Sequence, residues 1–227
     1  EVGGYEAAAA AAGSVSGFYD SVAKLINADP SEIAYVDSAT RGWHIALMSL
    51  DLKPGDEILT SRAEYNAHMI SFRHAEDRLA TKTILVPDTA DGSIDCEALE
   101  RLVTRRTRLI SLSHVPTNDA IVQPAAEVGR IAAAHGIAYL LDACQSAGQM
   151  PIDVSEIGCT MLTATGRKYL RGPRGTGFLW VDRRWHDRLV PHTLDIRSAQ
   201  WTEVDRFEIV EGAGRYELWE SNVAAQI

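Results

Sequence analysis

Apolar residues along the chain fall in short runs separated by longer stretches of helical spacing. That alternation predicts a mostly parallel β-sheet covered by helices on both faces, the α/β class. Strands are predicted over residues 32–36 (EIAYV), 57–60 (EILT), 82–86 (KTILV), 108–114 (RLISLSH), 138–142 (AYLLD), 160–164 (TMLTA) and 175–181 (GTGFLWV). Each is too short for a helix and is bounded by turn-forming residues, as buried strands are. Residues 4–28 read as one alanine-rich helix, because alanine has the highest helix propensity. The segment "DSATRGWHIALMSL" opens on Ser38, an N-cap residue type, and continues as an amphipathic helix. "LKPGDE" and "DTADGS" carry the Pro, Gly and Asp of turns, and "RGPRGTG" is the one glycine-dense loop. The expected division is an N-terminal helix over 1–30, one large domain over 31–190 and a connecting segment over 191–227.

Composition narrows the possibilities. With 227 residues, 46% of them hydrophobic, the chain can bury a sizeable core. A net charge of -9 argues against broad contact with nucleic acid or an anionic membrane, yet leaves room for a local basic pocket that holds a small anion. No apolar run approaches the roughly 18 residues of a membrane span, and no signal-peptide pattern opens the chain, so a soluble protein is expected. Cys96, Cys144 and Cys159 are odd in number and lack metal-ligand spacing, which speaks against a disulfide scaffold or a zinc site and for a reducing cytoplasm. A start at Glu1 and an end at Ile227, directly after the helix-like "WESNVAAQI", are what a fragment of a longer protein would show.

Candidate chemistry lies at predicted strand ends. Asp142 closes an apolar strand, and ligands of open α/β sheets sit at strand carboxyl ends. Gln145, three residues on, can present an amide to the same ligand, although an aspartate here can equally be a helix or turn cap. Lys168 lies between a strand and the glycine-dense loop. A lysine becomes nucleophilic where neighbouring positive charge or desolvation disfavours its ammonium form, and Arg167 with a partly buried strand end supplies both conditions. The alternative is a solvated basic patch of Arg167, Lys168, Arg171 and Arg174. Thr165 and Arg167 suit a phosphate, one as hydroxyl and the other as charged donor. The helix start at Ser38, Ala39 and Thr40 is a second anion-binding element. Neither GxxxxGK[ST] nor GxGxxG is present in the required setting, no GxSxG occurs, and the seven histidines form no HExxH.

The order of these signals carries a resemblance. "LLDACQSAGQMPIDVSEIGCTMLTATGRKYLRGPRGTGFLWV" resembles the class V aminotransferase branch of fold type I enzymes dependent on pyridoxal 5'-phosphate (PLP), and similarity extends from about Ser38 to Asn222. That branch includes cysteine desulfurases, selenocysteine lyases, isopenicillin N epimerase-like proteins and C–S lyases. The resemblance implies that residues 31–190 form a fold type I PLP-transferase large domain and that a smaller C-terminal domain is absent from the chain. It implies a Schiff base at Lys168, Asp142 on the pyridine nitrogen and Gln145 on the phenolic oxygen. Ala39, Thr40, Thr165 and Arg167 fall on phosphate-binding positions. Tyr65, in "SRAEYNAH", stands where cysteine desulfurases have a histidine stacked on the ring, as in C–S lyase-like members, and is a candidate proton donor to a leaving group. Thr117 replaces an asparagine near the phenolic oxygen. Asn222 lies in a segment similar to one that reaches a neighbouring subunit's cofactor phosphate, though Glu220 there replaces a threonine. The implied protein is a homodimer with shared active sites that acts on an amino acid through an external aldimine, with no nucleic-acid or membrane partner. A C–S lyase or desulfurase-like reaction on cysteine or a cysteine S-conjugate leads. An aminotransferase, an epimerase or a non-catalytic PLP-fold binding protein are the alternatives.

Overall fold

The computed structural model describes residues 3–118 and 120–227. In chain order the elements are α1 (Gly4–Ala10), α2 (Ala12–Ile26), β1 (Ile33–Val36), α3 (Ala39–Met48), β2 (Glu57–Thr60), α4 (Asn66–Leu79), β3 (Lys82–Leu85), α5 (Cys96–Leu102), β4 (Thr107–Ser113), α6 (Ala125–His135), β5 (Ala138–Asp142), α7 (Val154–Ile157), β6 (Met161–Thr165), β7 (Gly177–Val181), β8 (Ala199–Glu203), β9 (Arg206–Ile209) and α8 (Val223–Gln226). Seven strands form one sheet in the order β1-β7-β6-β5-β4-β2-β3, with β7 the antiparallel member. All seven predicted strands are present, shifted by no more than two residues at either end. Two features depart from the sequence-based expectation. The N-terminal helix breaks at Ala11 into α1 and α2, a break that nothing in the alanine run marks. Within 191–227, β8 and β9 form a hairpin, concealed in the sequence because its turn at Val204 and Asp205 lacks the glycine of tight hairpins.

The sheet is apolar on both faces, as a parallel sheet between helices must be. Along β5, Tyr139 and Leu141 join the cluster under α2, α5, α6 and α7, whereas Ala138 and Leu140 join the cluster under α3 and α4. Side chains alternate in a strand, so Asp142 is turned toward α3 and α4. The parallel strands all end at one edge of the sheet. Chain connections leave the adjacent strands β2 and β4 in opposite directions, toward β3 and toward β5, so a topological switch crevice opens at their carboxyl ends.

Two glycines allow close approach between layers. On Gly42 of α3, a Cβ would lie 3.0 Å from Thr163 Oγ1 and 3.2 Å from Val36 Cγ2, so the helix start lies directly against the sheet. On Gly129 of α6 it would lie 1.8 Å from the carbonyl oxygen of Ile157, which packs α7 against α6. Gly129→Ala therefore overpacks a backbone contact and is expected to destabilise by about 1–3 kcal/mol or more. Gly13→Ala in α2, where a Cβ meets nothing within 4 Å, is expected to stabilise by roughly 0.5–1 kcal/mol. Urea unfolding midpoints of the two variants should move in opposite directions.

Candidate active site

The carboxyl edge gathers most of the predicted residues. Asp142, last in β5, is paired in the sheet with Ser113 of β4 and Thr163 of β6. Its Oδ1 accepts the Cys144 N–H at 2.8 Å, and its Oδ2 lies 3.8 Å from His68 Nε2. Gln145 follows, half-buried, in the turn after β5. That turn passes through Gly148 at φ +88°, where a Cβ would stand 2.7 Å from the carbonyl oxygen of Tyr169. The Asp142–Gln145 loop is thereby held against the backbone that follows Lys168. Cys144 links the two regions: its thiol lies beside the Asp142 carboxylate and within the field of Lys168, and burial, then Asp142, pushes it far above the ordinary thiol range.

Thr165 ends β6, buried, with its hydroxyl donating to the Thr176 carbonyl at 3.4 Å. The glycine-dense loop closes back on β6, since Gly166 N–H donates to Thr176 O at 2.8 Å and Gly172 N–H to Gly166 O at 2.7 Å. Lys168 is half-buried and Arg167 exposed within that loop. Among the described residues, no carboxylate lies within 4 Å of either cation.

Next along the sheet, α3 begins at the end of β1. Ser38 caps it, its hydroxyl accepting Arg41 N–H at 3.2 Å, while Thr163 Oγ1 donates to the Ala39 carbonyl at 3.1 Å. The amides of Ala39 and Thr40 have no partner within the helix, as first-turn amides never do. They stand beside β7, where Gly177 leaves room: a Cβ there would lie 3.2 Å from Ala39 N.

On the other side, Tyr65 occupies the N-cap position of α4 and is 39% exposed. Thr117 is exposed in the loop after β4. Asn222 is not part of this gathering. Its side chain caps α8, and it lines a neighbouring cavity of about 920 Å³ with Tyr35, Asp37, Arg41 and Trp219. No group of three or more His, Cys, Asp or Glu among the described residues is placed to hold a metal ion, and no helix there is long and apolar enough to cross a membrane.

Two residues without a sequence motif prove central. Glu64 is fully buried in the switch crevice. It accepts from Thr60 Oγ1 at 3.0 Å, Ser111 Oγ at 3.2 Å, Ser113 Oγ and Tyr65 N–H at 2.8 Å, and faces His68 Nδ1 at 3.0 Å. The His68 ring stacks on Trp43 with centroids 4.1 Å apart and planes within 5°, and meets the Tyr65 ring edge-on at 5.3 Å. The only trace of this pair in the sequence is the i, i+4 spacing of an acid and a histidine after a strand.

Fold and site define an α/β protein with a crevice at the strand carboxyl ends, acidic at β5 and rich in N–H donors and cations at α3 and after β6. The sequence profile of the family "Aminotransferase class-V" matches residues 3–206, and the chain belongs to that family. Cysteine desulfurase IscS of Salmonella arizonae is 36% identical over 166 residues, which is 72% of this chain and 41% of that protein. The chain thus spans about two fifths of the length of such curated relatives. The apo structure of a cysteine desulfurase from Thermococcus onnurineus NA1 superposes with a TM-score of 0.88 at 23% identity, over 95% of this chain and 54% of that one, a likeness of fold. C-DES superposes with a TM-score of 0.85 at 27% identity, over 94% of this chain and 57% of its own. It is described as a cystine C–S lyase in complex with its reaction product cysteine persulfide, and a lysine-to-alanine variant of it carries glycine covalently linked to the PLP cofactor.

Glu64 yields a pH prediction. Burial pushes its carboxyl up, but His68, Ser113 and the Tyr65 amide together outweigh that and hold it below its ordinary value of 4.5. A depressed carboxyl contributes stability that is complete above its unfolded value and disappears as pH falls through the folded one. Glu64→Gln should cost about 1–3 kcal/mol near pH 7. The gap between wild type and variant, measured by urea unfolding, should narrow below pH 4.5; a gap independent of pH would contradict the assignment.

Proposed function

We propose that this chain is the PLP-binding part of an enzyme that cleaves a C–S bond of cysteine or a cysteine S-conjugate. The observation that carries this reading is the polarity of the crevice: a buried acid, Asp142, at the end of β5, and, among the described residues, cations after β6 without a carboxylate within 4 Å and first-turn helix amides at α3. PLP has the matching polarity, a ring nitrogen that is cationic when protonated and an anionic phosphate, so the residues present fit it.

Asp142 would hold the pyridine N–H by opposite charge. Gln145 would donate to the phenolic oxygen, and Thr117 would contribute to the same contact. Ala39 and Thr40 amides, the Thr165 hydroxyl and Arg167 would take the phosphate, using the helix N-terminus as an anion site. Lys168 would be the covalent anchor, and Tyr65 would lie against the ring. When bound, PLP withdraws the electron pair left by a bond broken at the substrate Cα. Lys168 Nζ would take the Cα proton of the substrate. The Tyr65 hydroxyl, at the open face, donates a proton to the departing sulfur.

The names of the relatives support sulfur chemistry on cysteine or cystine. Burial raises the thiols of Cys144 and Cys159 far above their usual range and that of Cys96 up to about 11, so all three are poor nucleophiles and unsuited to accept sulfur. A homodimer and a cytoplasmic location belong to the same reading. The exposed Trp201, Val204 and Phe207 of the β8–β9 hairpin support the first as an apolar surface open to a second copy, and three unpaired cysteines support the second. Asn222 would serve the neighbouring subunit's phosphate in that dimer.

Protein titrated with PLP should develop a visible absorbance band that Lys168→Ala lacks. Incubated with cystine and cysteine S-conjugates, it should release pyruvate together with a sulfur product. Amino-group exchange with a keto acid and no elimination would contradict the C–S reading, and the absence of a visible band in wild type would contradict the cofactor.

A further inference from the structure

The ring of His68 is buried between two carboxylates, one at each nitrogen. Glu64 Oε1 lies 3.0 Å from Nδ1 and Asp142 Oδ2 lies 3.8 Å from Nε2, with side-chain exposures of 2% for the histidine, 0% for Glu64 and 10% for Asp142. An ionised carboxylate only accepts, and a neutral imidazole has a single N–H; only the doubly protonated ring offers a proton to both neighbours. The first contact is a hydrogen bond, whereas the second is an ion-pair distance that acts through charge. Two buried carboxylates with no cation between them would carry a large desolvation cost, which a cation between them offsets. Trp43 supplies a third restraint, since a cationic ring stacked on an indole face at 4.1 Å is held electrostatically as well as by packing.

We infer that His68 is a positioning residue: as a buried cation clamped by Glu64 and Trp43, it orients the Asp142 carboxylate toward the crevice. The inference rests on the proposed role of Asp142 beside the PLP ring nitrogen. The clamp is anchored in the sheet, because Glu64 is itself fixed by Thr60 of β2 and by Ser111 and Ser113 of β4. Three titratable groups near His68 do not compete for its role. His44 of α3, bonded to Ser71 Oγ at 2.6 Å, is held below the ordinary histidine range by burial and by the proximity of His68, and is therefore neutral near pH 7. Cys144, on the far side of Asp142, stays a thiol. Tyr65 meets the ring edge-on and gives its backbone N–H to Glu64.

The decisive measurement is nitrogen-15 NMR of the histidine rings in the protein without added PLP. Both His68 ring nitrogens should be protonated at pH 7, and Asp142→Asn or Glu64→Gln should return the ring to a single protonated nitrogen. A wild-type ring with one protonated nitrogen overturns the inference and needs no variant to fold. His68→Phe, which keeps the stack on Trp43 but has no N–H, should weaken PLP binding about tenfold or more and displace the pH profile of the visible band. Unchanged affinity and an unchanged pH profile in that variant would also overturn it. The two levels separate cleanly. PLP binding that is indifferent to Asp142→Asn and Lys168→Ala refutes the cofactor assignment, whereas loss of binding in those variants with no effect of His68→Phe refutes only the positioning role.

Discussion

A carboxylate at the end of a buried strand is the constraint around which this edge of the sheet is organised. Asp142 continues the apolar run of β5, and strand alternation turns it toward α3 and α4, where the core gives way to the crevice. An acid in that position needs donors or positive charge close by. The Cys144 amide supplies a donor, the His68 ring lies beside the carboxylate, and Glu64 with its ring of hydroxyls steadies His68. Burial thus links three elements, β2, β4 and β5, into one polar assembly inside an otherwise apolar sheet.

The opposite end of the crevice depends on close packing. Gly42 and Gly177 let the start of α3 approach the sheet until its first-turn amides stand beside β7, and Gly148 draws the turn after β5 onto the backbone next to Lys168. Small residues at these points hold the helix amides, the cations and the acid on one edge. Neither group of residues would form a site alone: the amides of α3 are those of any capped helix, and the cations of the loop after β6 are those of any basic patch.

Much of this was legible in the chain. The strands of the central sheet were readable because each is a short, fully apolar run between turn residues, and Asp142, Thr165 and Lys168 were visible as polar residues closing or following such runs. The capped helix start at Ser38 was readable from a cap residue before an amphipathic helix. What escaped depended on tertiary contact. Glu64 and His68 look like ordinary polar residues at the start of a helix, and only folding brings Ser111, Ser113 and Asp142 around them. The β8–β9 hairpin escaped because its strands are exposed and mixed in polarity and its turn lacks glycine, so neither burial nor turn chemistry marked it.

The most direct test of the account is covalent. The lysines of the chain are Lys24, Lys53, Lys82 and Lys168, so the attachment point of PLP can be read without ambiguity. Protein equilibrated with PLP, reduced with borohydride and digested should show a phosphopyridoxyl group on the peptide that contains Lys168. Modification confined to Lys24, Lys53 or Lys82, or none at all, would contradict the account.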